Sequence, residues 1–217
     1  YFEKFDLIYN TFSKEAVYAG SLDELFEKEV TKKKLLTVDE DFLNDLEEWR
    51  KKLALNIYRN NQEKIGENNE LLTEYTQRVL DRIIFTRILE DRGIITSPVL
   101  KGLINKENIY ASMARIFQGF ATQYNGIIYN KHDVDNIKIV DKDLIDILKA
   151  LYGTERKELV YRFDIIPIEI LGSIYERFLG KVIECHPENT RDVAKVVDKP
   201  EVRKAGGVYY TPQYIVD

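Results

Sequence analysis

The stretch LLTEYTQRVLDRIIFTRILEDRG, residues 71–93, decides the fold of this chain. Its apolar residues recur every three or four positions, which is the period of an α-helix, and they fall into two stripes on different sides of the axis. The stripes are Val79, Leu80, Ile83, Ile84 and Ile88 on one side and Leu71, Phe85 and Leu89 on the other. Gly93 is a typical helix stop. The pattern predicts a helix from about Glu70 to Arg92 at the centre of a helical bundle.

Other helical patterns flank this segment. From Thr37 to about Ile65 the apolar residues again have helical spacing, and Thr37 with Glu40 forms a capping box that would start this helix. Turn signals separate three further predicted helices. They run over Lys106–Tyr124, Asp141–Tyr152 and Pro167–Gly180. The chain is therefore predicted to be mainly α.

Two segments have the composition of β structure. NIKIV, residues Asn136–Val140, predicts a short strand. RDVAKVVDKPEVRKAGGVYYT, residues 191–211, is rich in β-branched side chains and is broken at Lys199-Pro200, which predicts a hairpin. The predicted fold is thus a helical bundle with a small β-hairpin near the C-terminus.

The composition is typical of a soluble globular protein. Of the 217 residues, 44% are hydrophobic and 32% are charged. No apolar run approaches the roughly 20 residues that a membrane-spanning helix needs, and no signal-like start is visible. The single cysteine, Cys185, excludes an internal disulfide framework. These features predict a cytoplasmic protein with no membrane partner.

The charge of the chain limits how it could meet nucleic acid. With 32 basic and 37 acidic residues the net charge is −5, so any contact with DNA has to be local. The densest basic clusters, KKK at residues 32–34 and RKK at residues 50–52, lie beside acidic residues. Mixed clusters of this kind are interpreted as solvated helix surface.

Three arginines on the long predicted helix have two open interpretations. Arg78 and Arg82 lie one turn apart, and Arg92 lies at the helix end. In the favoured interpretation Arg78 and Arg82 pair with carboxylates. The candidate partners are Asp81, Glu90 and Glu74. In the alternative, Arg78, Arg82 and Arg92 contact DNA phosphates and the chain is a DNA-binding bundle.

The chain carries little chemistry of its own. His132 and His186 are its only histidines, and Cys185-His186 lacks the second ligand pair that a zinc site requires. No phosphate loop, Gly-x-Ser-x-Gly or His-Glu-x-x-His pattern occurs. No catalytic residue and no metal site is predicted within these residues.

The sequence closes on RKAGGVYYTPQYIVD, residues 203–217. Thr211 is suited to cap a helix whose first residue is Pro212, and the free backbone N–H groups of such a start can meet a carboxylate. The chain opens on Tyr1 and stops within this helix start, so we expect it to be a piece of a larger protein.

Four stretches together resemble the region before the methyltransferase core of single-chain type IIG restriction-modification enzymes, and of related adenine-specific methyltransferases in phage defence. They are RVLDRIIFTRILEDRGI at residues 78–94, QYNGIIYN at 123–130, IEILGSIYERFLG at 168–180, and RKAGGVYYTPQYIVD at 203–217. The first three resemble helical packing signatures. The fourth is the most specific, because its Tyr-Tyr-Thr-Pro resembles the start of the element called motif X.

The resemblance implies a role for the chain within a parent enzyme. Tyr210, Thr211 and Pro212 would help to line the pocket for the methionine end of S-adenosyl-L-methionine. The parent would transfer a methyl group to N6 of a flipped adenine in double-stranded DNA, and a nuclease domain, if present, would use Mg²⁺. The glycine-rich loop and the Asn-Pro-Pro-Tyr motif that the family places after motif X are absent from these 217 residues.

The predicted organisation follows from this resemblance. Residues 1–160 would form a helical connector, and residues 161–217 would lead into a truncated α/β methyltransferase domain. A non-catalytic helical interaction module is the alternative, with the Tyr-Tyr-Thr-Pro sequence coincidental. The DNA sequence recognised, cleavage by the parent, any contact between the connector and DNA, and the oligomeric state stay open.

Overall fold

The computed structural model describes residues 9, 12–18, 20, 38–124, 127–153, 161–166, 168–188 and 191–199. The chain divides into two compact units, Tyr1–Phe42 and Leu43–Asp217. In the first, helix α1 (Lys14–Tyr18) follows Ser13, whose Oγ accepts a hydrogen bond from Ala16 N at 3.3 Å. The predicted boundary at residue 160 lies within the second unit, and the division into connector and methyltransferase lead-in stays a prediction.

Helix α2 spans Val38–Asn60 and a single turn, α3, spans Gln62–Ile65. The prediction of one continuous helix to residue 65 was wrong, because the chain leaves helical geometry at Asn61. The Asn61 side chain donates to Ile57 O at 2.7 Å and to Lys138 O at 2.8 Å, and it accepts from Lys138 N at 2.8 Å. Bonds to a distant segment therefore interrupt the helix. Thr37, the predicted cap, lies outside the described residues.

Helix α4 spans Asn69–Asp91 and confirms the long predicted helix. The Asn68 side chain caps its start by accepting from Leu71 N at 2.9 Å, and Gly93 follows its end with a φ of +71°. One predicted apolar stripe is buried throughout. The other is only partly covered, since Phe85 is 40% exposed even though its ring meets Tyr175 edge-on at 5.6 Å.

The next elements confirm the remaining predicted helices. They are a 3₁₀ turn at Lys101–Leu103, α5 at Ile109–Tyr124, 3₁₀ turns at Ile127–Tyr129 and Asp133–Asn136, α6 at Asp141–Leu151, and α7 at Ile168–Leu179. Asp141 begins α6, and its carboxylate also accepts from Asn108 N at 2.8 Å and Ile109 N at 3.0 Å. One acidic side chain thus organises the starts of two helices.

The predicted strand at residues 136–140 is wrong. The segment leads from a 3₁₀ turn to α6, and the side chains of Asn56 in α2 and of Asn61 directly after it take the place of a neighbouring strand. Asn56 donates to Val140 O at 3.0 Å and accepts from Val140 N at 2.9 Å, and Asn61 binds Lys138 in the same way. An asparagine amide carries both a donor NH₂ and an acceptor oxygen, so it can satisfy the C=O and N–H groups of a peptide segment as a strand would.

The hairpin is present, but it starts earlier than predicted. Strand β1 is Lys181–Glu188, strand β2 is Arg191–Asp198, and they pair antiparallel with Lys181 opposite Asp198. The predicted segment, residues 191–211, therefore supplies only the second strand of this hairpin. The first strand has an apolar–polar alternation around Cys185-His186 that was not interpreted as a strand.

Helix α4 supports β1 through two side chains. Ile183 N donates to Thr73 Oγ1 at 2.9 Å, and Cys185 N donates to Asn69 Oδ1 at 3.0 Å. The predicted class, mainly helical with a small hairpin near the C-terminus, is confirmed, while the truncated α/β lead-in stays a prediction. None of the helices within the described ranges is both long and apolar enough to cross a membrane.

Candidate functional site

The predicted cofactor-binding residues Tyr210, Thr211 and Pro212 lie outside the described residues. Their role at an S-adenosylmethionine pocket stays a prediction. The described part of the chain contains Arg78 and Arg82 of α4, Arg92 directly after its end, and a cavity beside the hairpin that Arg50 helps to line.

Arg82 lies in the interior and is 1% exposed. Its Nε donates to Ile128 O at 2.9 Å, one Nη donates to Asn130 O at 2.7 Å, and the other binds the Asp135 carboxylate. The guanidinium thus holds the segment between α5 and α6 against α4. The interpretation of Arg82 as a paired arginine agrees with this geometry, although its partner was not among the predicted carboxylates.

Arg78 and Arg92 are more accessible. Arg78 lies 3.6 Å from Glu74, one turn earlier on α4, and 30% of its side chain is exposed. Glu74 is one of the predicted partners. Arg92 is exposed, and its side chain donates a hydrogen bond to Ile166 O at 3.1 Å. Of the three arginines proposed to contact DNA, these two present part of their side chains to solvent.

Arg50 is the arginine that the sequence interpretation missed. The RKK cluster was assigned to solvated helix surface, but Arg50 is 1% exposed, so this assignment was wrong for its first member. Its two Nη atoms donate to Phe178 O and Lys181 O, both at 2.9 Å, and its guanidinium lies 4.5 Å from the centre of the Phe178 ring. Burial lowers the pKa of Arg50 to about 10, although the charges of Asp81 and Glu47 oppose the shift. The sequence contains a signal for this burial. Arg50 follows Trp49 and lies one helical turn before Leu53, so the helical period could have indicated that Arg50 faces the interior.

A carboxyl group lies in the same interior region. Gln77 Nε2 donates to Asp81 Oδ1 at 2.6 Å. Burial raises the pKa of Asp81 to about 6, against the opposing effects of the hydrogen bond from Gln77, of the nearby Tyr175 hydroxyl and of the charges of Arg50 and Arg78. Burial, followed by the nearby Asp81, raises the pKa of Tyr175 well above its ordinary value.

A cavity of about 520 Å³ opens where α2, α4 and β1 meet. Its polar lining consists mainly of Arg50, Glu70, Glu74, Gln77, Lys181 and Lys199. Among the described residues, Arg50 Nε and Gln77 Oε1 are buried atoms with no hydrogen-bond partner. The cavity has a volume within the usual range of small-ligand sites.

A second polar cluster closes the C-terminal end of α4. Glu90 accepts from the Tyr152 hydroxyl and from Leu100 N at 3.3 Å, while Arg87 binds Asp91. Burial raises the pKa of Glu90 and, together with Glu90, that of Tyr152. Although Arg87 Nε is buried without a hydrogen-bond partner, these bonds make the cluster a structural connection between α4, the following loop and α6.

No group of three or more His, Cys, Asp or Glu side chains in the described ranges is placed to hold a metal ion. Cys185 is buried in β1. His132 instead caps a 3₁₀ turn, since its Nδ1 accepts from Val134 N at 3.1 Å and its Nε2 lies 2.9 Å from Glu74. This pattern fits a neutral ring with the proton on Nε2.

Comparison with known proteins points to the restriction-modification class. Over 182 residues, 83% of its length, the chain is 27% identical to the type II restriction enzyme and methyltransferase RM.Eco57I of Escherichia coli. The chain spans 18% of the length of that protein. No protein-family model and no solved structure matches the chain. The similarity supports the resemblance to restriction-modification enzymes.

Proposed function

We propose that this chain is part of a DNA restriction-modification enzyme and connects a nuclease to an S-adenosylmethionine-dependent, adenine-N6-specific methyltransferase. The similarity to RM.Eco57I carries the proposal, because it extends over most of the chain and that protein is named for both activities. A chain that spans 18% of such a protein is short for both, and its sequence has no catalytic motif for either. The proposed role of the chain is therefore to set the spacing between the nuclease and the methyltransferase and to couple them.

The packing of α4 supports a connecting role. Arg82 joins α4 to the segment before α6, and Thr73 and Asn69 join it to the hairpin. A helix with bonds to segments on both of its flanks keeps those segments in a fixed relation. In the proposed parent, residues 1–160 form the connector and residues 161–217 lead into the methyltransferase.

The proposed cofactor contribution comes from Tyr210, Thr211 and Pro212. The Thr211 cap and Pro212 would present free backbone N–H groups to the carboxylate of S-adenosylmethionine. In this proposal the parent acts on double-stranded DNA. Its nuclease domain uses Mg²⁺. Arg78 and Arg92 are the proposed arginine contacts to DNA from the connector, whereas Arg82 already holds three protein groups.

The test uses the full parent polypeptide and the Thr211→Ala variant. We expect the parent to transfer methyl groups from S-adenosylmethionine to adenine in duplex DNA. Thr211→Ala is expected to weaken cofactor binding about fivefold to tenfold while lowering stability by at most about 1 kcal/mol. Thr122→Ala, at an exposed helical position, serves as the control.

Two results would contradict the proposal. A parent that neither binds S-adenosylmethionine nor methylates DNA would favour the helical interaction module. A Thr211→Ala variant that loses stability but keeps its cofactor affinity would reduce Thr211 to a helix cap.

A further inference from the structure

An apolar stripe along α4 and α7 stays partly uncovered in the described part of the chain. Phe85 is 40% exposed on α4, and Leu179 is 45% exposed at the end of α7. Tyr175 lies between them, since its ring meets Phe85 edge-on at 5.6 Å and it precedes Leu179 by one helical turn. The three side chains therefore form a continuous stripe that leads from one helix to the other.

The stripe continues to the C-terminal end of α4. Leu89 is half-buried and follows Phe85 by one turn on the same side of the helix. Ile94 N then donates to Leu89 O at 2.9 Å, which is the bond of a Schellman cap, and the side chains at these two positions commonly touch in such a cap. Ile94 is 53% exposed. The α4–α7 face is defined by Phe85, Leu89, Ile94, Tyr175 and Leu179.

The composition of this face differs from that of a neighbouring helix surface. The residues of α2 that are exposed after Leu43 are all polar, namely Asn44, Glu48, Lys52, Arg59 and Asn60. Polar residues of this kind are what a surface helix normally presents to water. Isolated apolar side chains are common on protein surfaces, but a run of them from two helices with aromatic residues at its centre has the composition of an interface core.

Charged side chains border the α4–α7 face. Arg92 is exposed near one end, where it donates to Ile166 O at 3.1 Å, and Arg78 lies towards the other end with 30% of its side chain exposed. Glu176 is half-buried on α7, next to Tyr175. An apolar centre with a polar rim is the usual anatomy of a protein interface, and rim side chains keep contact with water. Arg78 and Arg92 thus stay available for the proposed contacts to DNA.

The course of the chain indicates what covers this face. Lys199 follows β2 directly, and its backbone N donates to Gly180 O at 2.9 Å. Lys199 and Leu179 also line the same cavity. The described chain therefore leaves the hairpin beside the Leu179 end of the α4–α7 face, and residues 200–217 continue from that point. A domain that is joined to the chain there starts next to the face.

We propose that the α4–α7 face is the docking surface for the methyltransferase domain that follows these residues in the parent polypeptide. The inference rests on the proposed function and adds the surface through which the connector holds its neighbour. The methyltransferase has to supply apolar side chains that cover Phe85 and Leu179. Covalent linkage close to the face gives such a partner an effective concentration in the roughly millimolar range, so a modest contact area is enough.

The first test identifies the occupant by photo-cross-linking in the parent polypeptide. Phe85 is replaced by p-benzoyl-L-phenylalanine, which keeps an aromatic ring at this partly exposed position, and the cross-linked peptides are identified by mass spectrometry. We expect cross-links to residues that follow residue 217. The same replacement at Thr122, which is exposed on α5, serves as the control and should give no such cross-links.

Three outcomes of this test would overturn the proposal. They are cross-links from Phe85 only to residues that precede Tyr1, cross-links only between isotope-labelled and unlabelled copies of the parent, and equal yields from Phe85 and Thr122. The first would assign the face to the nuclease side, and the second would assign it to a second copy of the parent.

The second test measures how accessible the face is. Leu179→Cys places a thiol there, and the buried Cys185 reports on folding because it reacts quickly only in an unfolded chain. We expect a thiol reagent to modify Leu179→Cys at least about tenfold faster in the 217-residue chain than in the parent, because an interface core excludes the reagent. Lys52→Cys, on the exposed side of α2, should react equally fast in both.

A second position guards against loss of folding in the first. If Cys185 reacts quickly in Leu179→Cys, then Ile94→Cys at the other end of the face supplies the same comparison. Equal rates of modification in the 217-residue chain and the parent, in a variant whose Cys185 stays slow, would overturn the proposal.

Methyl transfer to duplex DNA is measured on the same parent preparations, so that the two proposals can fail separately. A parent that methylates DNA but shows neither cross-links nor protection of the face overturns the docking surface and leaves the proposed function intact. A parent without methyl transfer overturns the proposed function and, with it, the assignment of the occupant.

Discussion

Arg50 and Arg82 are both 1% exposed, and both hold segments that are distant in sequence. Arg50 on α2 binds carbonyls at residues 178 and 181, and Arg82 on α4 binds carbonyls at residues 128 and 130. A guanidinium suits this work because its donors are arranged in a rigid fork and it keeps its charge when buried. The difference between them is the carboxylate, which Arg82 has in Asp135 and Arg50 lacks among the described residues.

Replacing Arg82 should therefore be costly. Arg82→Met fills a similar volume but leaves the buried Asp135 carboxylate and two carbonyls without their donor. We expect the free energy of unfolding to fall by about 3–5 kcal/mol in urea denaturation. Arg78→Met, which removes a partly exposed arginine from the same helix, should cost less than about 1 kcal/mol. Equal losses in the two variants would contradict the assignment of Arg82 as an internal anchor.

Asp81 makes stability depend on pH. Its folded pKa, about 6, lies above the ordinary value of 3.8, so the folded chain binds more protons between these values than the unfolded chain does. The free energy of unfolding should then fall as the pH rises from about 4 to about 6, by up to about 3 kcal/mol from this group. Asp81→Asn cannot ionise, so it should flatten that fall in denaturation measurements across this range. An unchanged slope in Asp81→Asn would mean that another group is responsible.

At the scale of elements, side-chain interactions determine where the helices begin and end. Only some of these interactions are local and can be recognised from the sequence. The start of α4 at Asn68 and its stop at Gly93 follow local rules and were predictable. The break after α2 was not, because Asn61 bonds to Lys138, which is 77 residues away. Long-range bonds from asparagine side chains also explain why residues 136–140 do not form the predicted strand.

The C-terminal stop of α4 can be tested by glycine substitution. Gly93 has a φ of +71°, where an alanine side chain is strained, so Gly93→Ala should lower the free energy of unfolding by about 1 kcal/mol. Gly119 lies within α5, and a Cβ added there would meet nothing within 4 Å. Gly119→Ala should raise stability by about 0.5–1 kcal/mol through helix propensity. Thermal unfolding of the pair measures both, and a destabilised Gly119→Ala would contradict this account.

At the scale of the whole chain, prediction from the sequence succeeded where the periodic spacing of apolar residues along the chain determines the local structure. It predicted most of the helices and a hairpin near the C-terminus, and Glu74, which lies near Arg78, was one of three candidate partners for Arg78 and Arg82. It could not identify the Arg50 cavity, since that site combines residues about 150 positions apart, from Arg50 to Lys199. Long-range polar contacts carry no periodic signal along the chain.

The last prediction concerns what the 217-residue chain does on its own with the proposed cofactor. Tyr210, Thr211 and Pro212 would supply one edge of a pocket, and no glycine-rich loop or Asn-Pro-Pro-Tyr motif occurs in the sequence to contact the rest of the molecule. One edge supplies too few contacts to offset the entropy that a ligand loses on binding. Calorimetric titration of this chain with S-adenosylmethionine should therefore give no measurable heat up to millimolar concentration, whereas the parent polypeptide should bind. Saturable binding by the chain alone would show that the cofactor pocket is built from residues other than those the family resemblance implies.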